Sequence, residues 1–112
     1  MTHPSKQKGN RYERELVNQA LQSGLPAKRA PGSNGENIGE HAEVDIVVGG
    51  YRGQAKIRKA IASYIKPSEH VDFQVLRENG GTSYVVIEWW NFLDLQKAAG
   101  IANDATCNNK MD

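Results

Sequence analysis

The chain of 112 residues contains one cysteine, Cys107. One thiol excludes an intrachain disulfide and any zinc site built from a cysteine cluster. Such sparing use of cysteine fits a reducing cytoplasm. Long hydrophobic runs are also missing. No segment approaches the ~18 consecutive apolar residues of a membrane span, and no charged-then-apolar leader opens the chain. A membrane is therefore not an expected partner. The glycine-rich stretch "APGSNGENIGEHAE", residues 30–43, runs on without a Gly-Lys-Ser/Thr sequence. It is no nucleotide P-loop, so no nucleotide cofactor is expected. His3, His41 and His70 have no metal-ligand spacing to one another, and His41, near the functional stretch, reads as a solvated loop residue. Aromatic residues are few, at 7% of the chain. The adjacent Trp89 and Trp90 read as the end of a strand, one facing the core and the other a helix or a partner chain.

What is present is one domain's length and enough apolar content, 38%, for a single modest core. The net charge is +1, but it is unevenly spread: residues 1–66 carry 11 Lys/Arg against 6 Asp/Glu, and residues 67–112 carry 3 against 7. A basic front half on a near-neutral chain predicts one positive face, for which a polyanion such as nucleic acid is a natural partner.

The start, "MTHPSKQKGN", is polar and reads as frayed. "QKGNRYERELVNQALQSG" then reads as a helix, because Tyr12, Leu16, Val17, Ala20 and Leu21 share one face. Gly24 stops it and Pro26 follows. A short extended segment is expected around Leu25 to Arg29, then a mobile glycine-rich loop long enough to suspect function. "EVDIVV" and "YRGQAKI" flank Gly49-Gly50, a strong signal for a two-residue hairpin. A helix is expected from Pro67 towards Gly80-Gly81, a strand at "TSYVVIEWW", and a last helix at "NFLDLQKAAG" capped by Asn91. Residues 1–100 thus read as one α/β domain with a small mixed β-sheet flanked by helices. Residues 101–112 read as a disordered tail.

The hairpin brings polar groups together. A two-residue turn at Gly49-Gly50 pairs Val48 with Tyr51 and sets Asp45 opposite Gln54, with Cβ atoms about 4.5–5.5 Å apart. Lys56, two residues on, shares that face. The other face reads Val44, Ile46, Val48, Tyr51, Gly53, Ala55 and Ile57 and is expected in the core. Two readings stand at this point. Glu43–Lys56 and Asp45–Gln54 suit ordinary cross-strand surface pairs, each contributing about 0.2–1 kcal/mol. They also suit phosphodiester hydrolysis, which needs a hard divalent cation held by oxygen. Asp45 offers a carboxylate, Gln54 a side-chain carbonyl and Ala55 a main-chain carbonyl. Lys56 suits orientation of the attacking water or stabilisation of developing charge.

An acidic residue on one strand followed by Gln54-Ala55-Lys56 on the next resembles the PD-(D/E)xK nuclease superfamily. Taken with "KGNRYERELVNQALQSG", "KRAPGS" and "EVDIVV", it resembles the archaeal-type Holliday junction resolvases over about residues 8 to 59. The resemblance implies a restriction-endonuclease-like core and magnesium-dependent cutting of four-way DNA junctions, with manganese able to substitute. It maps the family's first-helix glutamate onto Glu13, as a catalytic and metal-binding residue. The metal aspartate maps onto Asp45, the lysine onto Lys56 and a serine near the scissile phosphate onto Ser33. The basic residues Lys6, Lys8, Arg11, Arg14, Lys28, Arg29, Arg52, Arg58 and Lys59 then become candidate phosphate contacts. Symmetric nicking of a junction implies a homodimer, and the setting is the cytoplasm of a prokaryote or a phage-infected cell. The chain departs from the family in two places. Gln54 replaces the usual glutamate, removing one charge from the site, and the loop between Ser33 and Asp45 is longer. The competing readings are another nuclease of the superfamily, a DNA-binding module without catalysis and a purely structural protein.

Overall fold

A computed structural model of the chain describes residues 4–102, with side chains from residue 7 onward. His3, Cys107, the Lys6 side chain and the expected tail beyond residue 102 lie outside the described residues. The described residues form two compact units, one of residues 4–57 and 96–102 and one spanning Arg58–Leu95.

The first unit begins with helix α1, Pro4–Gln22, so the polar stretch expected to fray is already helical from Pro4. The helix buries Glu13, Leu16, Val17 and Ala20, the i, i+3, i+4, i+7 stripe of one face. Tyr12 is only half-buried and Leu21 is exposed. The buried stripe is thus rotated from the one expected, and a carboxylate occupies its first position. Gly24 has φ +89°. Its N–H donates to the Leu21 carbonyl, and the Leu25 N–H donates to the Ala20 carbonyl, at 3.0 Å each. This is a Schellman stop, in which a left-handed glycine satisfies the last carbonyls. Leu25, fully buried, follows it into the core.

Strands β1 (Ala27–Arg29), β2 (Ile46–Val48) and β3 (Tyr51–Gly53) form an antiparallel sheet with β2 in the centre. The register agrees with the expected hairpin: Val48 faces Tyr51, Val47 faces Arg52 and Ile46 faces Gly53. Gly49 and Gly50 have φ +61° and +85°, the left-handed pair of a type I′ turn. A Cβ on Gly49 would overlap the Gln96 amide oxygen. Gln96 is buried, and neither amide atom finds a hydrogen-bond partner among the described residues.

The expected core face is half right. Val44, Ile46 and Val48 are buried, but Tyr51 is 60% exposed and Ile57 is 41% exposed. Strand β3 is an edge strand that ends at Gly53, so Gln54, Ala55 and Lys56 lie beyond it. The segment from Pro31 to Ile38 is organised by two 3₁₀ turns, Pro31–Ser33 and Gly35–Ile38.

The second unit contains the antiparallel pair β4 (Phe73–Leu76) and β5 (Tyr84–Ile87). The helix expected after Pro67 is therefore replaced by a strand. Val71, Phe73 and Val75 recur at period two, the strand period, and their side chains are too few for a 3.6-residue stripe. Helix α2, Trp89–Ala98, starts at the tryptophans, so they open a helix and do not end a strand. Asn91 lies inside α2 and caps nothing. The Phe92 N–H donates to the Glu88 carbonyl at 3.0 Å, which puts Glu88 at the cap position before Trp89. Among the described residues both sheets are antiparallel, where one mixed sheet was expected. Two helices and two small sheets make a small α/β protein, compatible with a restriction-endonuclease-like fold.

Candidate active site

The candidate residues gather at one end of the three-stranded sheet, where β1 leaves, β2 enters and β3 leaves. Asp45 is pinned there from both sides. Its carbonyl accepts from the Ala30 N–H at 2.8 Å, and its own N–H donates to the Gly53 carbonyl at 2.9 Å. Gly53 is already the register partner of Ile46. Two consecutive residues of one strand thus face one of the other, the pattern of a β-bulge, which re-aims side chains at functional sites. The regular ladder stops before the expected Asp45–Gln54 pair. The Asp45 carboxylate instead accepts from the Ala55 N–H, Oδ2 to N at 2.9 Å. That bond ties the side chain of the acid to the middle residue of Gln54-Ala55-Lys56, while its backbone is held by Ala30 and Gly53.

Asp45 and Ala55 are half-buried, and Gln54 and Lys56 are exposed. Glu43 and Lys56 form no ion pair. The Glu43 N–H donates to His41 Nδ1 at 3.0 Å, and both of these side chains are exposed.

Glu13 lies with its side chain 4% exposed. One carboxylate oxygen, Oε2, accepts from the Ser33 hydroxyl at 2.7 Å. The other, Oε1, lies 3.3 Å from Nε of Arg29, whose side chain is 20% exposed. Neither Oε1 nor Nε has a hydrogen-bond partner, so the Arg29 contact is an ion pair without hydrogen-bond alignment. A buried carboxylate needs such a partner, since an isolated buried charge is strongly unfavourable.

The loop is shaped to deliver Ser33 to that carboxylate. Gly32 and Ser33 are both left-handed, at φ +67° and +55°. Ser33 is the one non-glycine residue with positive φ among the described residues. That conformation is uncommon for a side chain bearing a Cβ and often marks a functional constraint. Asn34 Oδ1 accepts from the Glu36 N–H at 3.0 Å, and Asn37 Nδ2 donates to the Pro31 carbonyl at 2.8 Å. Gly35 is buried so close to the His41 carbonyl that a Cβ there would collide with it. The segment expected as a mobile loop is therefore a hydrogen-bonded one. Sequence reasoning placed Arg29 and Ser33 at phosphate but missed their convergence on Glu13. The spacing did signal the burial of Glu13, which is three and four residues before Leu16 and Val17 on the apolar stripe itself, though not the partners it meets there.

Among the described residues, no three His, Cys, Asp or Glu side chains gather as a metal site would require. The Asp45 carboxylate accepts from the Ala55 N–H, and the donor set that the sequence offers with it is the neutral oxygens of Gln54 and Ala55. That set fits a hard cation such as magnesium, which keeps several waters and takes few protein ligands. It does not fit a tightly caged transition metal. Of the basic residues, Lys8, Arg11 and Arg14 are exposed on α1, Lys28 on β1 and Arg52 on β3. Lys28 and Arg52 both face Val47 in register, one from each side, so they share one face of the sheet. Arg58 and Lys59 are exposed in the second unit.

In comparison with known proteins, the model of a family described as archaeal Holliday junction resolvase (hjc) matches residues 4–91. No curated protein and no solved structure matches the chain.

Proposed function

Because the chain belongs to the archaeal Holliday junction resolvase family, we propose that it is a magnesium-dependent endonuclease that nicks four-way DNA junctions. One observation carries the assignment of the site: the Asp45 carboxylate is fixed by the Ala55 N–H at 2.9 Å, beside Gln54 and Lys56. Asp45, the Gln54 carbonyl and the Ala55 carbonyl would hold the cation. When bound, it would activate a water and balance charge developing on the phosphate. Lys56, exposed next to this group, directs its ammonium at the water or at a phosphate oxygen. Arg29 supplies charge at the same end of the sheet. Lys8, Arg11, Arg14, Lys28 and Arg52 hold the DNA backbone without reading bases. Two symmetric nicks need two sites, which a two-fold homodimer provides. No helix among the described residues is long and apolar enough to cross a membrane, and a cytoplasmic setting suits an enzyme acting on cellular DNA.

The second reading, a junction-binding protein without catalysis, is favoured by Gln54, which leaves Asp45 as the one carboxylate of the proposed metal site. Junction cleavage with magnesium or manganese separates the two. Lys56→Ala is expected to lose activity almost completely, and Gln54→Glu to retain it. A protein that binds junctions tightly but cuts none with either metal would establish the second reading.

A further inference from the structure

Glu13 is a buried carboxylate facing a cation and a hydroxyl, and this arrangement opposes metal binding. Its Oε1 is sealed from solvent and lies 3.3 Å from Arg29 Nε. A divalent cation at that oxygen would sit within a few ångströms of a guanidinium, where like charges repel. Its Oε2 accepts from the Ser33 hydroxyl at 2.7 Å, which takes up one of that oxygen's two lone pairs. No further pair of carboxylate, imidazole or thiolate side chains stands beside it among the described residues to complete a site. The Arg29 charge also cancels that of Glu13, removing the negative potential that would attract a cation.

The same contacts suit a different role. Ser33 is held in a left-handed backbone, φ +55°, which costs free energy and persists only where surroundings enforce it. Its hydroxyl has one proton, and Glu13 takes it. The Ser33 oxygen is thereby fixed with its lone pairs turned elsewhere, the arrangement that accepts a hydrogen bond from a water. Arg29 meets Glu13 through Nε, which leaves its two terminal amino groups, the fork that grips phosphate. Both residues sit at the sheet end that holds Asp45, since the Ala30 N–H between them donates to the Asp45 carbonyl at 2.8 Å.

We propose that Glu13 is a positioning residue, not a metal ligand: its buried carboxylate aligns Ser33 and Arg29 on the scissile phosphate and its water, while the cation is held on the Asp45 side alone. This inference rests on the nuclease reading. It predicts that Glu13 and Ser33 act as one unit and that neither contributes to metal affinity.

The test uses the full chain. Manganese affinity is measured by calorimetry on wild type, Glu13→Gln, Ser33→Ala, the double variant and Asp45→Asn. Single-turnover junction cleavage is measured on the same set. Glu13→Gln is expected to keep manganese affinity within about 2-fold, while Asp45→Asn weakens it at least ~10-fold. Cleavage should fall about 100-fold in both Glu13→Gln and Ser33→Ala, the scale of a misplaced reacting group, with no further loss in the double variant. A 10-fold weaker manganese affinity in Glu13→Gln, or cleavage losses that multiply in the double variant, would overturn the proposal. If wild type cuts no junction, the nuclease reading fails, and the calorimetry still decides whether Glu13 is a ligand. Absence of manganese binding by wild type would overturn both.

Discussion

Glu13 and Arg29 form a largely buried ion pair, with side chains 4% and 20% exposed. Removing one member leaves the other charged and unpaired away from water, whereas an isosteric amide keeps the packing. Arg29→Met is therefore expected to destabilise the fold by about 3 kcal/mol, read as a lower urea midpoint with an unchanged slope. The double change Glu13→Leu with Arg29→Met should recover much of that loss, because a well-packed apolar pair replaces a buried ionic one at little cost. If Arg29→Met is as stable as wild type, Glu13 is not held by its charge. At this scale the sequence was legible in identity but not in partnership. The motif spacing located Asp45, Gln54 and Lys56, and the helix resemblance located Glu13. Nothing in the spacing says that Ser33 and Arg29, 20 and 16 residues from Glu13, converge on it, because that depends on two left-handed residues at the loop tip.

Strand β2 and its hairpin are the element on which the site depends. The Gly49-Gly50 turn sets the register, and the register sets where Asp45 meets the opposite strand. Gly49 meets two demands that an alanine would fail: φ of +61° and contact with the buried Gln96 amide. Gly49→Ala is expected to cost about 2 kcal/mol, lowering the melting temperature by several degrees. Gly50→Ala, with open space around it, should cost less; equal losses would mean that the Gln96 contact is immaterial. The hairpin was readable from sequence because glycine pairs report backbone geometry directly. The bulge at Asp45 was not, because it depends on the sheet's other edge, where Ala30 takes the Asp45 carbonyl. The β4 strand was misread for a similar reason. Pro67 and Gly80-Gly81 have the marks of helix ends, but the alternation of Val71, Phe73 and Val75 between them follows the strand period. Exposure of Tyr51 likewise depends on β3 being an edge strand, which local alternation cannot reveal.

Over the whole molecule, charge is the property that bears most on function. Part of the basic excess of residues 1–66 is carried by side chains exposed on α1, β1 and β3, and the family match supplies the polyanion. If Lys8, Arg11, Arg14, Lys28 and Arg52 each neutralise one phosphate, junction affinity should fall steeply with salt, with a log–log slope near −4 to −5 per protomer. Converting Lys28 and Arg52 together to glutamine should reduce that slope by about 2. A salt-independent affinity would remove DNA from the account. The fold class was legible at this scale, since the chain carries both the apolar stripe of α1 and the glycine-turned hairpin of β2 and β3.

The claim on which everything else depends is that Asp45 holds the catalytic cation on a junction-cutting enzyme. Its most direct test is single-turnover cleavage of a four-way junction and of a linear duplex of the same sequence in magnesium, by wild type and Asp45→Ala. A cation held at Asp45 predicts that wild type cuts the junction in preference to the duplex and that Asp45→Ala cuts neither, while binding the junction as tightly as wild type. Junction cleavage at the wild-type rate by Asp45→Ala would contradict it.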